Sequence, residues 1–336
     1  MKHIIPPALC QLAGAISITL FSHQGMAAPA LDVLGRDYTF PNQIEGIPSM
    51  LSDFKDLEIN SFDTSDGVSL SYWEAGEGRP VIFVPAWSAS GAEYFNVLYL
   101  LSKQYHVFVL DPRNQGLSDN VEYGARISRF GMDLKEFVDH LDLTRADFCG
   151  WSMGAAVIWS YIDLFGTKAI RKACFVDQPI SIYSHSDWSE QERLDAGGTT
   201  TSAERMVAGV TEGAKLNNLI TDMKPWERFE IEDSPYFANS KAFAKEFIDN
   251  DPEAISRVLF DHVMNDWRDV IRHKIDIPVA IFSGVESNNL SSQRWASSII
   301  TDASLYNYSS AEHGDHFLMF KNPIKFTNDL SSFLER

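Results

Sequence analysis

The residues best suited to chemistry are Gly150-Trp151-Ser152-Met153-Gly154, which close an apolar run (Asp147-Phe148-Cys149) and open a stretch of helical spacing. A serine on a tight strand-to-helix turn carries its hydroxyl clear of the backbone, and the flanking glycines leave room for the turn. The helix behind it aims backbone N–H groups and the positive end of its dipole at the place where an oxyanion would form. That is the setting of a nucleophile in acyl transfer. The same five residues would also suit a plain glycine-rich turn with a capping serine, so the reading depends on partners elsewhere in the chain.

A serine hydroxyl becomes a useful nucleophile only when a base removes its proton, and the base needs a third group to orient it. Two histidines, His313 and His316, lie in Ala311-Glu312-His313-Gly314-Asp315-His316-Phe317, after the last expected strand. A metal pair would need a third ligand and a fixed frame, to which nothing in the sequence points, so no metal or cofactor is expected. The acid is Asp177 or Glu286. Asp177 ends the apolar run Cys174-Phe175-Val176, where a carboxylate is costly without a partner, and His316 would be that partner. Glu286 sits in the polar Gly284-Val285-Glu286-Ser287-Asn288-Asn289, where a solvated glutamate needs no explanation, so Asp177 is favoured. The oxyanion requires two backbone donors. One is expected from Met153, just after the nucleophile, and one from Trp87 in Pro85-Ala86-Trp87-Ser88.

The elements that must hold these residues follow from periodicity. Leu57–Phe62 and Val68–Trp73 read as a hairpin around Asp66-Gly67. Val81–Val84, His106–Leu110 and Ala173–Asp177 are short apolar runs of the kind buried on both sheet faces. Ala92–Lys103, Arg126–Leu141 and Met153–Phe165 have helical spacing and alternate with them, which implies a mainly parallel α/β sheet. In such a sheet the ligand lies beyond the carboxyl ends of the strands, where Ser152 and Asp177 both fall. From Gln178 to Ile275 the rhythm changes to helix-like segments (Ala203–Asn218, Ser240–Phe247, Pro252–Arg272) rich in aromatics, which reads as a lid. Pro278–Ser283 and Ser304–Tyr308 resume the sheet, and a helix near Pro323–Glu335 closes it.

The chain has 336 residues, and its 28 Lys+Arg against 46 Asp+Glu give a formal charge of -18. So acidic a body, without a basic cluster, excludes nucleic acid and anionic membrane surfaces as expected partners. Met1-Lys2-His3, the mostly apolar Ile4–Phe21 and the small residues before Ala28 predict a cleavable signal peptide over 1–27 and a periplasmic or secreted protein. Pro6-Pro7 and Gln11 make that segment a poor permanent membrane anchor. Cys149 and Cys174 fall on strands expected to be neighbours. A bridge between adjacent parallel strands is strained, so two buried free thiols are expected.

Three motifs in order resemble the α/β-hydrolase superfamily along nearly the whole mature length. They are the loop Asp111-Pro112-Arg113-Asn114-Gln115-Gly116-Leu117-Ser118, the turn at Ser152, and the run from His316-Phe317 to Pro323. The resemblance implies a mostly parallel eight-stranded sheet with a helical cap between strands six and seven. The core is then 28–177 with 276–336, and the cap 178–275. It selects His316 over His313, by the spacing to Pro323. Departures are Pro85-Ala86 where the family has His-Gly, Ser287 where a common member has the acid, Asn114 for a glycine and Lys321 for a glutamate. Members without that aspartate often carry the acid after strand six, which again points to Asp177. A serine nucleophile implies hydrolysis of a small, moderately apolar carboxylic ester or lactone through an acyl-enzyme. Aminoacyl-amide hydrolysis with Glu190, Glu192 or Glu212 binding an amine, oxygen-dependent or perhydrolase chemistry, and a non-catalytic binding module are the alternatives.

Overall fold

The computed structural model describes residues 28–184, 187–197 and 229–336. Eight strands form one sheet in the order β1-β2-β4-β3-β5-β6-β7-β8. They are β1 (Glu58–Asp63), β2 (Ser69–Ala75), β3 (Arg79–Val84), β4 (Tyr105–Leu110), β5 (Ala146–Trp151), β6 (Ile170–Val176), β7 (Val279–Gly284) and β8 (Ala303–Tyr308). Strand β2 runs antiparallel to both neighbours, and the remaining pairs are parallel.

The period of two in a strand explains both layers of core. Phe83, Val107, Val109, Cys149, Val176 and Phe282 face one layer, covered by the helices Phe95–Leu101 and Pro323–Glu335. Ile82, Phe108, Phe148, Phe175 and Ile281 face the other, covered by Ile127–His140 and Met153–Phe165. Strands β5 and β7 are buried along their whole length; β7 reads as a mostly apolar run, and β5 accommodates Asp147 through ion pairs to Arg79 at 3.2 Å and Arg171 at 2.6 Å. Cys149 and Cys174 are register partners in the first layer and stand as buried free thiols.

Between β6 and β7 the described chain is helical: Glu190–Ala196, Pro235–Phe247, Pro252–Met264 and Arg268–His273. The segment read as one helix over Pro252–Arg272 is two. Around Asp266 the backbone turns aside to bridge Ser181, and the Trp267 N–H donates to the Ile180 carbonyl at 3.1 Å. That pairing joins residues far apart in sequence, so local periodicity carries no trace of it. The helix expected from Ser240 starts earlier, with Pro235 in the first turn, where its missing N–H costs nothing. Leu290–Ile299, after β7, is a further helix that apolar spacing did not reveal; it turns Ser292, Gln293 and Ala296 inward. The expected helix Ala203–Asn218 and segment 1–27 lie outside the described residues. Among the described residues no helix is long and apolar enough to cross a membrane.

Candidate active site

Strand β5 ends at Trp151, and Ser152 takes φ 51° and ψ −126° before the helix Met153–Phe165 begins. A non-glycine residue there is strained, so the surroundings must hold it. They do so with the Ser152 N–H on the Val176 carbonyl at 2.9 Å, and the Ala155 N–H on the Ser152 carbonyl at 2.8 Å. A Cβ on Gly154 would collide with the Val84 carbonyl, and one on Gly150 with the Gly154–Ala155 backbone. Both glycines are therefore required by close approach of helix to sheet. Met153 is fully buried in the first turn of that helix.

One strand over, β6 ends at Val176 and Asp177 follows with φ 48°, fully buried, its N–H on the Phe282 carbonyl. Its carboxylate accepts from His316 Nδ1 at 2.8 Å and from Ser283 Oγ at 2.6 Å. Ser287 Oγ at 2.8 Å and Asn289 Nδ2 at 3.1 Å donate to it as well. Burial raises the pKa of such a carboxyl, but the donors at His316, Ser283 and Ser287 outweigh it and hold Asp177 below the ordinary carboxylate range. An ionised Asp177 takes the proton-bearing Nδ1 of His316, which leaves Nε2 as the acceptor. The His316 loop is pinned from behind, since Trp151 Nε1 donates to the His316 carbonyl at 2.9 Å. Lys321 in the following turn is buried against Asp315 and Asp233, both at 2.9 Å. That basic side chain thus has a structural partner where a glutamate would be repelled.

The third wall is the turn after β3. Trp87 Nε1 donates to the Ile255 carbonyl at 2.7 Å, which ties this turn to the inserted helices. Ser88 has φ 65°, and its N–H donates to Gln115 Oε1. Asn250 bridges the same turn to the next loop: its Nδ2 donates to the Ser88 carbonyl at 3.0 Å, and its Oδ1 accepts from the Gly116 N–H at 2.9 Å. Asn114 also has a positive φ, 65°, a conformation asparagine tolerates, and its Oδ1 accepts from the Val121 N–H. Behind these turns Asp111 accepts from Gly91 N–H, Leu117 N–H and Trp73 Nε1, and burial pushes its carboxyl up to about 6.

Ser152, Asp177, His316 and Trp87 all line one cavity of about 480 Å³ at the carboxyl ends of the strands. Ile182, Ile255, Leu259, Val263 and Phe317 give it apolar walls. Glu286 is exposed and lines no part of it, and His313 faces Asp233 at 3.6 Å instead. Glu190 and Glu192 are on an exposed helix face away from the cavity, and Glu212 lies outside the described residues.

The cavity also contains polar residues that motif spacing did not single out. His262, on the helix Pro252–Met264, is 4% exposed, and its Nδ1 has no hydrogen-bond partner among the described residues. Burial keeps its imidazole neutral, lowering its pKa to about 3. Gln178, next to Asp177, has an unpartnered Oε1. Its position directly after a strand-end acid was the available signal. Glu93 lines the cavity too; its signal was a Ser-x-x-Glu capping pattern, which is read as local structure.

Comparison with known proteins agrees with this architecture. The sequence profile of the alpha/beta hydrolase fold family matches residues 79–255, and the chain belongs to that family. A non-heme chloroperoxidase of Kitasatospora aureofaciens is 26% identical over 283 residues, which cover 81% of this chain and 98% of that protein. A non-heme haloperoxidase of Rhodococcus erythropolis is 28% identical over 126 residues, only 46% of its length. Among solved structures, a bromoperoxidase from Bacillus anthracis superposes with a TM-score of 0.67 at 22% identity, over 83% of this chain and 100% of that one. The enol-lactonase from Burkholderia xenovorans LB400 does so with 0.64 at 20% identity, over 82% and 100%.

Proposed function

We propose that the protein is a serine hydrolase that cleaves a small carboxylic ester or lactone. The observation that carries this reading is the Asp177–His316 pair at 2.8 Å, lining the same cavity as Ser152 on its strained turn. Ser152 Oγ attacks the carbonyl carbon while His316 Nε2 takes its proton, and the imidazolium that forms is stabilised by ionised Asp177. The N–H groups of Met153 and Trp87 hold the oxyanion, a role in which one donor is worth about 3–4 kcal/mol. Collapse expels the alcohol, which leaves with the proton from His316. Water then attacks the acyl-enzyme with His316 as base, releasing the acid and restoring the serine. Apolar walls around a cavity of about 480 Å³ suit a compact, moderately apolar substrate.

The likeness to a chloroperoxidase over most of both chains favours one second reading. Hydrogen peroxide in place of water would attack the acyl carbon, releasing a peroxyacid and the free serine. Carboxylic acid, peroxide and the same Ser152 site suffice, without a redox cofactor. The basic start Met1-Lys2-His3 and the mostly apolar Ile4–Phe21 support a cleavable signal peptide and a periplasmic or secreted location, and the charge of -18 argues against nucleic acid as a partner.

The test is labelling of the purified protein with a fluorophosphonate beside Ser152→Ala, followed by turnover of nitrophenyl esters and simple lactones. Labelling of the parent alone, with ester or lactone turnover, is expected. A folded parent that resists the probe would remove the reading. Halide oxidation that requires both peroxide and a carboxylate buffer would favour the second one.

A further inference from the structure

Among the described residues three Ser-x-x-Glu pairs cap helical turns, with nearly the same local bonding. Glu93 accepts from Ser90 N–H at 2.9 Å and Oγ at 2.7 Å. Glu192 accepts from Ser189 at 2.8 Å in both cases, and Glu312 from Ser309 at 2.9 Å in both. Their surroundings differ. Glu192 has Arg268 at 3.9 Å and Glu312 has Lys325 at 3.5 Å, and both carboxyls, bonded to their serines at the surface, lie below the ordinary range. Glu93 lines the cavity, and no ion pair joins it to a basic residue among those described. Burial, with Asp111 adding repulsion, pushes it up to about 7. Capping alone does not call for this, because glutamine would serve the Ser90 turn as well without a charge to bury.

The same cavity is bordered by a contiguous group of rings. Trp151 packs on Phe317 at 5.5 Å and on Phe320 at 4.7 Å, and Phe237 packs on Phe317 at 5.0 Å. Phe237 already receives a cation on its face, the Lys241 ammonium at 5.4 Å. Lys241 is engaged there with the Glu230 carbonyl at 3.2 Å rather than with Glu93. Asp177 and Glu230 also line the cavity, as does Lys241, but Asp177 is taken by His316 and Lys241 by the Glu230 carbonyl, which leaves Glu93 beside the rings without an ion pair among the described residues. A carboxylate beside aromatic faces is a pairing that recognises an alkylammonium group.

We propose that Glu93 is a specificity-determining residue that selects substrates carrying a positively charged nitrogen, held between its carboxylate and the aromatic wall. This rests on the hydrolase reading only for the word substrate; the recognition itself is a property of the cavity. An ammonium group entering the site would replace the missing counter-ion of Glu93.

The experiment uses a matched pair of esters of nearly equal shape, acetylcholine and its uncharged isostere 3,3-dimethylbutyl acetate. Binding of both to the full chain carrying Ser152→Ala, which cannot turn them over, is followed by calorimetry. The cationic ester should bind at least about tenfold more tightly, and this preference should vanish when Glu93→Gln is added. Glutamine keeps the acceptor that caps Ser90, and a thermal melt checks that the fold is retained. Glu93→Asp, which keeps the charge but withdraws it by one methylene, should leave a weakened preference and serves if the glutamine variant does not fold. Equal affinities, no binding of the cationic ester, or a preference that survives Glu93→Gln would overturn the proposal. Hydrolysis of 3,3-dimethylbutyl acetate by the parent protein reports separately on the hydrolase reading.

Discussion

The two sides of the cavity are built on opposite principles. On the sheet side, Asp177 accepts from His316, Ser283, Ser287 and Asn289, while Ser152 is locked by β6 and by its own helix. On the side of the inserted helices, His262 is buried with an idle Nδ1, and Gln178 at the foot of that wall has an idle Oε1. A buried polar atom without a partner costs about 1–3 kcal/mol, so the Asp177–His316 pair is tightly bonded whereas the facing wall bears that cost. The difference separates two tasks. Bond-making needs groups fixed within fractions of an ångström, whereas selection needs groups whose hydrogen bonds are completed only when something enters.

The comparison is broken most severely on the sheet side. Ser152→Ala or His316→Ala should lower kcat on an ester by about 10³–10⁶-fold, and Asp177→Asn by about 10⁴-fold, with KM little changed. Steady-state kinetics on one nitrophenyl ester checks all three; a residual rate within tenfold of the parent would remove the roles assigned to them. Gly154→Ala comes next, because its methyl must displace the Val84 carbonyl. Loss of most activity together with a melting temperature lower by several degrees is expected, and an unperturbed melt would show that the helix is not held so closely.

A smaller effect sharpens the comparison. Ser287→Ala removes one donor from Asp177 and should cut kcat by about tenfold. Asp177 is held below its ordinary range, so the stabilisation from its ionised form is present at neutral pH and lost as pH falls through the folded value. Removing a donor raises that value, so the acidic limb of the stability curve, read by urea melts, should move to higher pH. The same limb in parent and variant would contradict the account. The smallest effect lies on the other wall. His262 stays neutral in the folded protein down to about pH 3, whereas its unfolded form takes a proton near 6.5. Between those values the unfolded state binds more protons, so stability falls as pH falls. His262→Leu should flatten this part of the stability curve while changing activity by only a few-fold, as read by urea melts from about pH 7 to 4.

Much of the sheet side was legible in advance. The runs at β3, β4 and β6 announce strands buried on both faces, and the glycines around Ser152 announce a tight turn, because both patterns are local consequences of backbone geometry. The other wall was not. Nothing in the letters around His262 separates a cavity histidine from a core one, and Glu93 has the same Ser-x-x-Glu pattern as two surface glutamates. The break at Asp266 depended on Ser181, some 85 residues earlier.

By itself, then, the sequence determined the run of strands and most of the helices between them, the turn that presents Ser152, and the small set of acids and bases able to serve it. These follow from hydrophobic period and turn chemistry, which act over a few residues. The tertiary structure alone decided that Ser283, Ser287 and Asn289 join His316 as donors to Asp177. It also decided that one of three like-capped glutamates faces a cavity instead of water. Hydrogen bonding and desolvation over long sequence separations make those choices, and they exist only once the chain has closed.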